Sequence, residues 1–173
     1  MQASGHDRPP PNSAALLWHC VDALADRQIE ARHHLHQRPE PSGEEWETTA
    51  FVVKTLSEAG LTACTFGDVP GALCDVDLGS VPQNASRVAI RGDMDALRVG
   101  EEAGVSYASD RPGLMHACGH DAHTSLALFA ALAARAAAAE WDGPPIGLRF
   151  FFQPAEETGK GARWLCKRGA MRG

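Results

Sequence analysis

The chain has 173 residues, 44% of them hydrophobic and 22% charged, with a formal net charge of -6. That length suits one ordinary domain with its own core, and the acidic balance argues against a general nucleic-acid-binding surface. Its five cysteines are odd in number, widely spaced and contain no Cys-x-x-Cys pair, so neither a disulfide framework nor a zinc ribbon is indicated and a reducing, cytoplasmic setting fits best.

Residues 1–13 are polar and proline-rich, without the basic-then-apolar run of a secretory signal, and read as a disordered tail on a domain covering 14–173. No apolar stretch is expected to be long enough to span a membrane. From Ala14 to Gln37, the residues Leu17, Val21, Leu24, Ile29 and Leu35 recur at helical spacing and predict one amphipathic helix ended by Pro39. Its last turn carries Arg32, His33, His34, His36 and Arg38, cations that complement a helix C-terminus. Ser42-Gly43-Glu44-Glu45 then has the spacing of a capping box, starting a helix that passes Phe51, Val52 and Leu56 and closes at Gly60.

After Gly60 the period shortens. Leu61 to Phe66, Ala72 to Leu78 and Arg87 to Arg91 read as strands separated by glycine, proline and asparagine turns. The third empties into Gly92-Asp93-Met94-Asp95, an Asp-x-Asp pair that either orients or binds a cation or simply turns the chain through its own backbone. Val99 to Gly113 reads as a surface loop, and Asp121 to Ala139 as an alanine-rich helix of high intrinsic propensity. The near-continuous apolar run Ile146 to Phe152 predicts a strand buried on both faces of an α/β sheet. It ends in Gln153-Pro154-Ala155-Glu156-Glu157, where the acids could merely begin the helix expected over Gly161 to Met171.

The densest chemistry lies in Met115-His116-Ala117-Cys118-Gly119-His120-Asp121-Ala122-His123. A loop running into a helix there could aim the thiol and imidazoles at one point, with Gly119 allowing the sharp turn. A buried free cysteine at a helix start is the plain alternative. Asp93/Asp95 and Glu156/Glu157 both follow strands, at the edge where open α/β sheets place ligands, so three segments converge on one candidate site. A thiol-redox role for Cys118 is weaker, because no resolving cysteine is near it in sequence.

Four ordered motifs carry a resemblance that extends from about Ala31 to the end. They are His36-x-x-Pro39-Glu40 with Glu45, Arg91-Gly92-Asp93-Met94-Asp95-Ala96-Leu97, the stretch Met115 to His123, and Gln153 to Glu157 with Gly161-Ala162. The sequence resembles the zinc- or manganese-dependent amidohydrolases related to aminoacylase and carboxypeptidase, in the branch of hippurate hydrolase and indole-acetyl-amino-acid hydrolase. That resemblance implies an α/β fold: a truncated three-layer catalytic domain of the zinc-exopeptidase type, with a mixed sheet flanked by helices. It implies hydrolysis of the amide bond of N-acyl amino acids by water activated at two divalent metal ions, manganese or zinc, with no nucleic-acid or membrane partner.

Carried over residue by residue, Cys118 is a thiolate ligand bridging the two ions, His120 and Glu157 are further ligands, and Glu156 is the general base. Asp93 falls where peptidase relatives place a metal-binding histidine and is taken as a supporting residue, as is Asp95, which orients the site. Family members are about twice this long, with an inserted dimerisation domain and two further histidine ligands beyond the double glutamate, whereas no histidine follows Glu157 here. The resemblance therefore implies an amino-terminal fragment of a longer enzyme, a truncated gene product or a chain whose missing half is supplied elsewhere, with little or no turnover expected of the chain by itself. The alternative is a truncated, catalytically inactive relative that binds metal or a partner.

Overall fold

The computed structural model describes residues 12–172. Five α-helices are present among them: α1 (Asn12–Asp22), α2 (Ala25–Gln37), α3 (Trp46–Glu58), α4 (His120–Ala137), which a 3-10 turn extends over Ala138–Glu140, and α5 (Gly161–Lys167). The strands are β1 (Ala63–Thr65), β2 (Ala72–Leu78), β3 (Arg87–Asp93) and β4 (Ile146–Gln153), in one sheet of order β1-β2-β4-β3. The sheet is mixed: β1–β2 and β2–β4 run antiparallel, while β3 and β4, joined through α4, run parallel.

Strand periodicity sorts the side chains into three layers. Ala72, Cys74, Val76 and Leu78 of β2 alternate onto one face beside Phe150 and Phe152 of β4, and this face packs with α2, α3 and α4 into the main core. Phe151 points the other way, into a smaller cluster with Leu165 of α5 and Ala170. The apolar run of β4 is thus explained by burial on both faces.

Several local expectations yield to tertiary contacts. The single helix expected over Ala14 to Gln37 is two, because the ladder lapses at Leu24, whose N–H bonds the carbonyl of Val21. No glycine or proline marks that break, and both halves pack on α4. The expected tail, residues 1–13, lies mostly outside the described residues, but α1 already begins at Asn12 and Ser13 is buried. The closing helix is shorter than expected, ending at Lys167 rather than Met171. Contrary to the expectation that no stretch could span a membrane, His120–Glu140 is long and apolar enough by length and composition; it is the core helix, and 56% of its most apolar window is buried in the fold.

The capping box does not form. Ser42 Oγ donates to Asp95, and Glu45 is completely buried, accepting from Gly43 N at 2.8 Å and from Ala155 N at 2.7 Å. The free N–H groups at the start of α3 are met by Glu40, whose carboxylate accepts from Glu47 N at 3.1 Å and Thr48 N at 2.7 Å. An acid at that end also complements the helix dipole. Glu40, a motif residue without a role in the sequence, is thus the cap of α3.

Candidate metal centre

Because β3 and β4 are parallel, their carboxyl ends deliver Asp93 and the Glu156–Glu157 pair to the same edge of the sheet. Gly119, at φ +83, turns the chain from the Cys118 loop into α4 and brings His120 to that edge. Ligand atoms of Cys118, His120 and Glu157 lie within 4.8 Å of one another, as do those of Asp93, His120 and His123.

The imidazole of His120 is oriented from behind. Its Nδ1 lies 2.8 Å from the Asp95 carbonyl and 3.3 Å from Asp95 Oδ1, acceptors that require the proton on Nδ1 and leave Nε2 facing the site. Around Nε2 stand Asp93 Oδ2 at 3.6 Å, Glu157 Oε1 at 3.8 Å and Glu156 Oε2 at 3.9 Å. These gaps are too long for hydrogen bonds. They suit ligands sharing a cation, since bonds of about 2.0–2.3 Å set at tetrahedral angles separate ligand atoms by roughly 3.3–3.8 Å.

Asp95 is the organiser. Almost fully buried, it accepts from Glu156 N through Oδ1 and from Glu157 N through Oδ2, both at 3.0 Å, as well as from Ser42. Burial alone would raise its carboxyl, but hydrogen bonds from His120, Ser42 and the two backbone N–H groups together hold it well below the usual carboxylate range. Glu45 supports the same loop from the other side: its bond to Ala155 N holds a non-glycine residue at φ +50 directly before Glu156.

The charges are unbalanced without a cation. Glu157, hydrogen-bonded to the Cys118 thiol, raises its pKa, aided by burial and by the charges of Glu156 and Asp93. For His120, burial works to lower the pKa, but the Asp95 hydrogen bond and the Asp93 charge raise it to about 9. A divalent ion would reverse both effects by displacing the two protons.

Burial also pushes Glu45 up to about 7. Both Glu45 and His120 thus hold a proton more tightly folded than unfolded. The Glu45 contribution is complete below its ordinary 4.5 and lost as pH rises through about 7; that of His120 is complete below 6.5 and lost through about 9. Below about pH 6.5 the Glu45 effect is opposed by His116, whose pKa burial lowers to about 4, so thermal unfolding of metal-free protein should show a midpoint that falls between about pH 6.5 and pH 9, and saturating zinc or manganese should flatten that fall. A midpoint rising across that window would contradict these assignments.

The structure brings all six predicted site residues to one edge, Asp93 and Asp95 among them. Sequence reasoning missed four supporting groups. His123 Nδ1 lies 2.7 Å from Asp93 Oδ1. His36, read as a dipole-complementing cation or an unexplained motif member, lies buried between Asp121 Oδ2 at 2.9 Å and Glu101 Oε1 at 3.1 Å. Glu45 and Asp121 complete the set; the hints were the presence of all four in the motifs and the place of His123 among the imidazoles that the turn into α4 could aim at one point.

An α/β sheet whose parallel strands end in carboxylates, facing a Cys-x-His turn, gathers a donor set suited to divalent metal at the edge where such sheets place ligands. Residues 89–173 match the model of peptidase family M20/M25/M40. The chain is 39% identical over 153 residues to the N-acetyl-L-cysteine deacetylase of Bacillus subtilis, covering 88% of this chain and 35% of that one. It is 38% identical to the N-acetyldiaminopimelate deacetylase of Limosilactobacillus reuteri, covering 84% and 37%. Among solved structures, the YXEP protein of Bacillus subtilis, described as a dinuclear metal binding peptidase from the M20 family, superposes with a TM-score of 0.78 at 35% identity, covering 88% of this chain and 41% of that one. The matched segment, and the fold that carries it, are similar to the amino-terminal part of M20 peptidases and amidohydrolases. The chain spans little more than a third of the length of these two deacetylases.

Proposed function

We propose that the protein is the metal-binding part of an amidohydrolase that cleaves the amide bond of N-acyl amino acids, as hippurate hydrolase does. The observation that carries this reading is the set of carboxylates 3.6–3.9 Å from His120 Nε2, beside the Cys118 thiol. Cys118, His120 and Glu157 would hold divalent metal, manganese or zinc, with Cys118 supplying a thiolate ligand. When bound, the ions supply a more acidic water and polarise the scissile carbonyl. Glu156, with its side chain 40% exposed at the site, accepts the proton of the attacking water and passes it to the leaving nitrogen. Asp95 keeps Glu156 and Glu157 in place through their backbone N–H groups. The deacetylase activity named for the relatives supports a small acyl group on an amino acid as substrate.

The test is hydrolysis of a panel of N-acetyl and N-benzoyl amino acids with manganese or zinc. It is run on the 173-residue chain and on a fusion in which this chain replaces the matching segment of the Bacillus subtilis deacetylase. The fusion should release amino acid at about 1–1,000 per second in a chelator-sensitive manner. A folded, metal-loaded fusion without turnover on any member of the panel would favour a metal-binding protein that does not hydrolyse amides.

A further inference from the structure

His116 is 4% exposed, yet neither of its ring nitrogens has a hydrogen-bond partner among the described residues, and Asp121 Oδ1 is likewise buried and unpartnered. The three orphan atoms belong to one region. The His116 ring is centred 6.3 Å from that of His36, which itself bonds the other oxygen of Asp121. Buried polar atoms are rarely left unmet, and a cluster of them is ordinarily bridged by internal water.

The surrounding charges select what can partner these atoms. Asp121 is already faced by Arg32 Nε at 3.2 Å and by His36 at 2.9 Å, so a further cation has little to gain there. Its own carboxylate repels an anion. A neutral imidazole offers one donor and one acceptor, and the open carboxylate oxygen offers an acceptor, a set that water completes.

We propose that one or two buried waters bridge His116 to Asp121 Oδ1, and that through them His116 is a positioning residue for Cys118. His116 begins the turn that presents the thiol, and its carbonyl accepts from Gly119 N at 3.2 Å, while Asp121 sits in the first turn of α4 beside His120. The water bridge thus ties the loop bearing one ligand to the helix bearing another. The positioning half rests on the metal reading above; the water does not.

A crystal structure of the 173-residue chain should show ordered water within hydrogen-bonding distance of His116 and Asp121 Oδ1. Cobalt(II) binding, read by the thiolate-to-cobalt charge-transfer band, should weaken about 10- to 100-fold in His116→Phe, the usual cost of losing a group that supports a ligand. His116→Gln, which keeps a donor and an acceptor, should recover part of that loss while both variants unfold cooperatively. Absence of ordered water at His116 and Asp121 Oδ1 in a well-resolved map would overturn the water. Cobalt affinity within about twofold of the parent in His116→Phe, or equal losses in Phe and Gln, would overturn the positioning role. No charge-transfer band in the unsubstituted chain would instead defeat the metal reading and the positioning role with it, leaving the water to be judged on density alone.

Discussion

Glu156→Gln is expected to keep its metal and lose turnover by about 100- to 10,000-fold, measured as kcat of the fusion on its best N-acyl amino acid beside the metal content of each variant. The amide keeps the shape of the carboxylate but cannot take a proton. Glu156 N would still donate to Asp95 Oδ1, so the loop that holds Glu157 stays in place. The neighbouring change, Glu157→Gln, should behave differently: it removes an anionic ligand whose Oε1 lies 3.8 Å from His120 Nε2, so metal and turnover fall together. The contrast separates a proton carrier from a ligand. Near-normal kcat in both variants would reduce the double glutamate to part of the turn between β4 and α5.

The largest stability effect should come from Asp95→Asn. Two backbone N–H groups and the Ser42 hydroxyl converge on this carboxylate, and His120 Nδ1 lies 3.3 Å from it. An amide has one acceptor oxygen and turns an NH2 group toward either the Glu156 or the Glu157 backbone N–H, neither of which can accept. At least one donor is left unmet and the buried charge that balances His120 is lost. Breaking such a buried network costs about 3–5 kcal/mol, and metal affinity should fall about 10- to 100-fold because His120 loses its orientation. Urea unfolding of metal-free protein with an unchanged m-value would read the first effect directly. A loss below about 1 kcal/mol would show that water satisfies these donors in place of the carboxylate.

The sheet and the convergence of the site were legible because they rest on strong local signals. Two-residue alternation in β2 marks its core face, the apolar run of β4 marks a doubly buried strand, and each ends in carboxylates or feeds an element that does. The supporting residues were not legible, since their partners are remote in sequence. Glu45 reaches Ala155 across 110 positions and His36 reaches Asp121 across 85, so Ser42-Gly43-Glu44-Glu45 looked like a local cap when its side chains serve the far side of the site. The break between α1 and α2 was hidden for the same reason. Neither glycine nor proline causes it, and the contact of both helices with α4 takes its place.

Cobalt(II) titration of the 173-residue chain, followed by the near-ultraviolet thiolate-to-cobalt band, tests most directly whether Cys118, His120 and Glu157 hold a cation. Five free cysteines are present, three of them exposed, so the parent must be compared with Cys118→Ala. A band that saturates in the parent, disappears in Cys118→Ala and weakens in Glu157→Gln is the predicted result. A band absent from the parent, or unchanged when Cys118 is removed, would contradict it.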